Sequence, residues 1–446
     1  MKKIAIQIIG IIFSVTSLEA QVSSKLQQAA ATFSNDEQLK HATWSVLVTD
    51  ASTGKTIFDH NSETGLAPAS TQKVITSITA FETLGKDFRY STFIGTDGKE
   101  LFIQAAGDPS FGSWRYTDTK PEVILEKVRK GIAQGGATQS AGSISPDTSN
   151  WDDESIPDGW IWQDIGNYYG AGARQFNWRE NQYDILLRSG STIGSAVSIN
   201  TTKPVMQGLR FTSLITAAAK GTGDNAYIYH APGSSTVLVR GTIPVNENSF
   251  TISGSIHDPL KQFNAELGQP VIDLPAHLLS SGSVKVVYQH RSPSFDSLNY
   301  WFMRKSINLY GEAFLKTMAA KQTGKGTREN GIRFVRDFWK QRGIDEAALQ
   351  ITDGSGLSPQ NRVTTRSLVT ALQYARSKTW FPSFYESLPL YNGMKLKSGS
   401  INGSRAFAGY HTAGGTTYVI AIIVNNYSGS SAAMVKKIFT LLDNLK

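Results

Sequence analysis

The 446-residue chain contains no cysteine. That absence removes disulfides, thiol nucleophiles, cysteine-held metals and a lipid-modified cysteine together. Histidine is scarce as well: the seven, at positions 41, 60, 230, 257, 277, 290 and 411, include no pair at metal-ligand spacing, so neither a metal nor a cofactor is expected. There is no block of basic residues and no nucleic-acid-binding motif. The formal charge of +8 is spread along the chain, which fits plain solubility or a basic surface near an acidic polymer and excludes nucleic acid as the expected partner. No stretch beyond the N-terminus approaches the run of about 18 apolar residues that a membrane-spanning helix needs.

What is present begins with a leader. Lys2-Lys3, an apolar run from Ile4 to Val15 and Ser17-Leu18-Glu19-Ala20 have the layout of a secretory signal peptide, with cleavage expected after Ala20. Export without disulfides suits a bacterial envelope, and a periplasmic location is expected. The apolar content of 40% allows substantial cores and more than one domain.

The chain is organised around Ala67-Pro68-Ala69-Ser70-Thr71-Gln72-Lys73, a Pro-bearing loop that runs into a helix. Val74, Ile75, Ile78, Phe81 and Leu84 recur at helical spacing and Gly85 follows as a stop. Residues three apart share a helix face, so the Lys73 amine is expected within reach of the Ser70 hydroxyl. Burial of that helix would lower the lysine's pKa and let a neutral amine act as base toward Ser70, the expected nucleophile. Ser-x-x-Lys by itself is weak, because Ser52-Thr53-Gly54-Lys55 also matches. That second match lies between two alternating runs and reads as a solvated hairpin turn.

Taken in order, Lys25 to Phe33 reads as a helix, Thr43 to Asn61 as a strand pair and Ser91 to Ala105 as a hairpin around Asp97-Gly98. From about Gly112 to Gly190 the text is rich in turns and tryptophan. Trp151, Trp160, Trp162 and Trp178 either line a groove or, the preferred reading, pack an irregular domain. Pro121 to Gln134 is its one long helix. Ser191 to Ser255 reads as a small β-rich module, Asp258 to Leu267 as a helix and Val284 to Gln289 as a strand. Helices follow at Leu298–Lys305, Leu309–Ala320, Arg328–Gln341 and Thr365–Ser377. The end reads strand, strand, strand, helix, giving an α+β class. No internal repeat is evident.

Partners for Ser70 and Lys73 come from further along. Four Ser-x-Asn triplets occur, starting at Ser198, Ser297, Ser306 and Ser400. Only Ser306-Ile307-Asn308 sits at a break between two helices, where a loop presents a hydroxyl and an amide to a cleft. Lys397-Ser398-Gly399-Ser400 ends a strand with a cation, a hydroxyl and a glycine that permits close approach. Ser-x-x-Lys, a Ser-x-Asn loop and Lys-Thr-Gly together resemble the motif set of penicillin-binding proteins and class A β-lactamases, with Ser replacing Thr here. Asp353-Gly354-Ser355-Gly356-Leu357-Ser358, Asn361-Arg362-Val363-Thr364, Glu312 shortly after Ser306-Ile307-Asn308, Lys397 to Tyr410 and Gly107-Asp108-Pro109 sharpen this. Over nearly the whole mature chain the sequence resembles the DacB-type D-alanyl-D-alanine carboxypeptidase/endopeptidase family, the class C low-molecular-mass penicillin-binding proteins.

The resemblance implies a penicillin-recognising domain, an antiparallel sheet with helices of the serine transpeptidase/β-lactamase kind, interrupted by a large, mostly β insert of nested domains. The expected boundaries are 21–92 and 286–446 for the catalytic domain and 93–285 for the insert, with the nested module at about 191–257. It implies hydrolysis of the bond between the terminal D-alanines of peptidoglycan stem peptides, or of a D-amino-acid cross-link, through an acyl-enzyme on Ser70, and inhibition by β-lactams. Lys73 would be the base, Ser306 a proton relay, and Asn308 the residue that orients the substrate amide and bonds Lys73. Lys397 and Ser398 would meet the terminal carboxylate, and the backbone of Ser70 and Ser400, beside Gly399, would form the oxyanion hole. Asp164, in Trp162-Gln163-Asp164, would bind the free amine of a diamino acid, with Ile401 along its aliphatic part; a capping aspartate and a core isoleucine are the competing readings. Asp353 and Ser355 read as turn-formers rather than chemistry. The rival functions are a β-lactamase, for which no deacylating glutamate motif is seen, a non-catalytic wall-binding scaffold and a generic serine esterase.

Overall fold

The computed structural model describes residues 21–135, 151–152, 154–268, 272–273 and 284–446; the expected leader lies outside them. The chain clusters into two compact units, one of residues 21–82, 299–306 and 335–446, the other of 83–298 and 307–334.

The first unit is built on a six-stranded sheet in the order Leu390–Tyr391, Met394–Ile401, Ser404–Ala413, Thr416–Asn425, Thr43–Asp50, Thr56–His60. Every neighbouring pair is antiparallel. The three C-terminal strands expected from sequence are therefore half of a larger sheet: the N-terminal pair joins them through Val46↔Ile422 and Val48↔Ile420. From Trp44 to Asp50 every residue is buried, because this interior strand, paired on both sides, is covered on both faces. One face packs Val46, Val48, Ile420 and Ile422 against Leu26 of the helix at 21–34 and Met434, Ile438 and Leu441 of the helix Ser431–Leu442. The Thr365–Arg376 helix is fastened to the same strands: Gln373 donates to Thr49 Oγ1 and to the Asp50 carbonyl, and the Tyr410 hydroxyl donates to the Leu372 carbonyl. Deleting a buried Ile side chain here would cost about 2–5 kcal/mol.

Among the described residues the second unit carries three sheets. Ser91–Thr96 and Leu101–Gln104 form the expected hairpin, flanked by Lys285–Arg291 and Ile272–Asp273. The helix Pro121–Gly135 buries Ile124, Val128 and Ile132 in a core with Ile94, Phe111, Trp178 and Phe263. Two three-stranded sheets follow, Phe250–Ser255/Gln182–Arg188/Ser198–Lys203 and Arg210–Ala218/Thr236–Pro244/Asn225–His230. They share one core, in which Ile185, Leu187, Ile215, Ile228 and Val239 are central. The helix Asn308–Thr323 also belongs here. Its Lys316 ammonium, almost fully buried, donates to Asp152 at 2.6 Å, and Tyr310 donates to Glu180 at 2.9 Å.

Of the tryptophans, Trp151, Trp160 and Trp178 are buried packing residues, whereas Trp162 is half exposed.

Candidate active site

Ser70 sits in a 3-10 turn, Ala69–Gln72, that leads into the α-helix Lys73–Leu84. The residue before it, Ala69, is fully buried with φ 46°, a left-handed conformation that a non-glycine holds only when its surroundings impose it. Two glycines do so. A Cβ on Gly356 would lie 2.0 Å from the Ala69 carbonyl oxygen, and one on Gly399 would lie 2.5 Å from the Pro68 carbonyl oxygen and 3.1 Å from the Ser70 nitrogen. The loop 353–358 and the strand Met394–Ile401 thus close on the turn from two sides.

Lys73 is completely buried, and its Nζ donates to Ser70 Oγ at 2.9 Å and to the Ser355 carbonyl at 2.6 Å. Burial of the first helical turns comes from Val74, Ile75 and Ile78, all without exposed surface. Thr76 donates to the Gly354 carbonyl at 2.6 Å. The loop is in turn fixed by Asp353, whose carboxylate accepts from the backbone N–H groups of Gly356 and Ser358, each at 2.7 Å.

Ser306 lies at the break between the helices Phe295–Lys305 and Asn308–Thr323, with φ 57°. Its hydroxyl accepts from Lys397 Nζ at 3.0 Å, and the same amine donates to the Ser398 carbonyl at 2.8 Å. Lys397 is buried. Desolvation, with the Lys73 charge as a smaller cause, pushes its ammonium well below the usual lysine range. Ser398 Oγ donates to the Tyr391 hydroxyl at 3.1 Å. Ser400 is exposed, and Ile401, half-buried, pairs with Ser404 where the strand ends. Ser70, Lys73, Ser306, Lys397, Ser398, Gly399, Ser400 and Ile401 therefore all belong to the first unit, and short contacts tie Ser70 to Lys73 and Ser306 to Lys397.

Asn308 and Asp164 belong to the second unit. The Asn308 amide donates to the Tyr169 carbonyl at 2.7 Å. Asp164, in the short helix Trp162–Ile165, is half-buried; desolvation raises its carboxyl to about 6, and a hydrogen bond from Tyr169 opposes the rise. Among the described residues no cation pairs with it.

The other Ser-x-Asn triplets take structural places. Ser198 begins a strand, and Asn299 is buried inside a helix, accepting from Ser77 and donating to Ser387. The second Ser-x-x-Lys is a turn: the Asp50 carboxylate gathers the N–H and hydroxyl groups of both Ser52 and Thr53.

Residues 26–393 match the D-Ala-D-Ala carboxypeptidase 3 (S13) family. The chain belongs to that family. It is thus a hydrolase, a serine-type D-Ala-D-Ala carboxypeptidase of the penicillin-binding class. Among its relatives, the D-alanyl-D-alanine carboxypeptidase of Actinomadura sp. strain R39 is 22% identical, over 90% of this chain and 81% of that one. The D-alanyl-D-alanine carboxypeptidase DacB of Haemophilus influenzae is 21% identical over 83% of each. The crystal structure of penicillin binding protein 4 (dacB) from Haemophilus influenzae superposes with a TM-score of 0.76 at 19% identity, covering 93% of this chain and 98% of that one. The same protein complexed with a β-lactam superposes at 0.70. No described helix is long and apolar enough to cross a membrane.

Within this S13 chain, two contacts at the site have no signature in the sequence. The Ser355 carbonyl holds the Lys73 amine, and a backbone acceptor can be any residue type. Tyr391 holds the Ser398 hydroxyl from a two-residue edge strand, Leu390–Tyr391, too short for a periodic signal.

Proposed function

We propose that the protein removes the terminal D-alanine of peptidoglycan stem peptides, or cleaves D-amino-acid cross-links, through an acyl-enzyme on Ser70. The observation that carries this reading is the 2.9 Å hydrogen bond from the fully buried Lys73 amine to the half-buried Ser70 hydroxyl. Lys73 takes the Ser70 proton as Oγ attacks the scissile carbonyl, and the tetrahedral oxyanion is met by the backbone N–H groups of Ser70 and Ser400. Gly399 permits this, since no side chain separates the strand from the Ser70 turn. The proton then passes by way of Ser306 to the leaving amine, and water hydrolyses the ester.

Lys397 meets the substrate's terminal carboxylate with Ser398 beside it. A buried amine whose proton is weakly held in the free enzyme gains that proton firmly when a carboxylate arrives, so binding and charging reinforce each other. Asn308, from its resemblance to the family, orients the substrate amide. A half-buried carboxyl that has no cation partner among the described residues is the expected receptor for an ammonium, which assigns Asp164 to the diamino acid of the stem peptide and Ile401 to its methylenes. The catalytic domain is read as 21–92 plus 286–446 with the insert between, and β-lactams acylate Ser70 in the substrate's place. The mature chain works in the periplasm.

The test is release of free D-alanine from a peptide ending in D-Ala-D-Ala. Wild type should release it and Ser70→Ala should not; equal release by both would remove Ser70 from the mechanism.

A further inference from the structure

One face of the sheet Arg210–Ala218/Thr236–Pro244/Asn225–His230 is core: Ile215, Ala217, Val237, Val239, Ile228 and His230 are buried. Alternation sends the intervening side chains to the other face. Register arranges these in cross-strand rows. Leu214, Arg240 and Tyr227 form one row, with Leu214 55% and Tyr227 37% exposed. Thr212, Leu238 and Tyr229 form the next, and Thr216, Thr242 and Asn225 a third. Trp162, 51% exposed, sets its ring 5.8 Å from that of Tyr229, and the Arg240 guanidinium lies 5.5 Å over the same Tyr229 ring. These three strands contribute no carboxylate.

On this face Trp162, Leu214 and Tyr227 are 51%, 55% and 37% exposed, so rings and an aliphatic side chain stand side by side open to a ligand. Its chemistry is mixed in one particular way. Flat aromatic faces lie among threonine hydroxyls, an asparagine amide and a guanidinium, with only two aliphatic side chains in the three rows. A pyranose has the matching character, with apolar C–H faces and a rim of hydroxyls, so rings accept its faces while the polar rows accept its edges.

The position of the face also matters. The turn that bears Trp162 and Asp164 is fastened to the strand that bears Tyr227 and Tyr229. Asn167 accepts from the Ile228 N–H at 3.0 Å, and a Cβ on Gly166 would lie 2.1 Å from the Ile228 carbonyl oxygen. A carboxylate suited to an ammonium and a platform suited to sugar rings are thus held in one rigid arrangement. In the polymer on which the proposed activity acts, stem peptides are attached directly to an amino-sugar strand.

We infer that this aromatic sheet face, Trp162, Tyr227, Tyr229 and Arg240 at its centre, binds the amino-sugar glycan strand that carries the stem peptide. The inference rests on the proposed function for its choice of polymer. It adds a binding site remote in chemistry from the serine: one that gives affinity for the polymer and contributes nothing to the hydrolysis of a short free peptide.

The experiment is co-sedimentation and titration of the full mature protein with purified glycan strands stripped of their peptides, using wild type and the double variant Tyr227→Ala/Arg240→Ala. Both substituted residues are exposed neighbours on the sheet, so the core is untouched. Wild type should bind bare strands, and the double variant should bind about tenfold more weakly, the loss of roughly one ring contact and one cation–π contact. D-Alanine release from a short peptide should be the same for both proteins, while release from intact cell-wall polymer falls in the variant. Failure of wild type to bind bare strands, or equal binding by the variant, would overturn the inference. So would binding that ignores the rings and disappears at about 1 M salt, where charges are screened beyond ~3 Å; that result would mean a merely cationic surface. Loss of penicillin acylation in the variant would also overturn it, by showing that the face supports the fold. Wild-type binding to bare strands without any D-alanine release would keep the glycan site and sink the peptidase assignment instead.

Discussion

The surroundings of Ser70 and those of Asp164 are built on opposite principles. Around Ser70 the supports are buried and doubly held: a fully buried, left-handed Ala69 is clamped by Gly356 and Gly399, and the buried Lys73 is bonded to both a hydroxyl and a carbonyl. Around Asp164 the rings of Trp162 and Tyr168 are half exposed, and the carboxyl has a tyrosine for company but no cation among the described residues. The first arrangement fixes reacting atoms in place, where an error of 1 Å costs about a hundredfold in rate. The second leaves a charge and several rings open to be completed by a ligand. Under the proposed roles, chemistry is placed where the structure is tight, and selectivity where it is open.

That contrast is broken most severely at Lys73. Lys73→Met keeps the volume and removes the base, so the acylation rate by benzylpenicillin in stopped-flow measurement should fall about 10³-fold. A fall of less than tenfold would mean that another group takes the Ser70 proton. Next is Gly399→Ala, whose methyl would press on the Pro68 carbonyl and the Ser70 N–H. Acylation should drop about a hundredfold with little change in the stability of the second unit, as followed by hydrogen exchange. An unaffected rate would show that the strand yields easily, contrary to a clamped site.

On the open side the effects should be smaller and confined to binding. Asp164→Asn should raise KM about tenfold for peptides with a free diamino-acid amine, leave kcat alone, and do nothing to peptides whose amine is acetylated. Because the Asp164 carboxyl sits at about 6, wild-type KM for the amine peptide should climb as pH falls below about 6, and the Asn variant should lack that limb. A fourth prediction concerns Asp108, buried beside His290 with Oδ2 unbonded and its carboxyl raised by desolvation to about 6. The folded chain binds this proton more tightly than the unfolded one, where the carboxyl titrates near 3.8. Its contribution to stability is therefore present at low pH and lost as pH rises from about 4 through 6. Denaturant midpoints across that range should fall less steeply for Asp108→Asn than for wild type, and an identical slope would contradict the assignment.

Local features were the legible ones. Ser70 and Lys73 are three residues apart, and helix geometry alone brings such a pair together. The break at Ser306 shows in the pattern because two periodic segments stop and restart around it. The pairing of Thr43–Asp50 with Thr416–Asn425 does not show, since partners nearly the whole chain apart leave no mark on either strand's alternation. The short helix Phe381–Ser387 also escaped, with Pro382 in its first turn and too few residues for a period. The tryptophans divided for a similar reason: nothing in the spacing of Trp160 and Trp162 tells which one packs and which one faces solvent.

The central claim is that Ser70, activated by Lys73, is the residue that becomes acylated. Intact-mass measurement of the mature protein after incubation with benzylpenicillin, followed by peptide mapping, tests it most directly. The account predicts a single penicilloyl adduct on the peptide that contains Ser70, absent from Ser70→Ala. An adduct elsewhere, or one retained by Ser70→Ala, would contradict it.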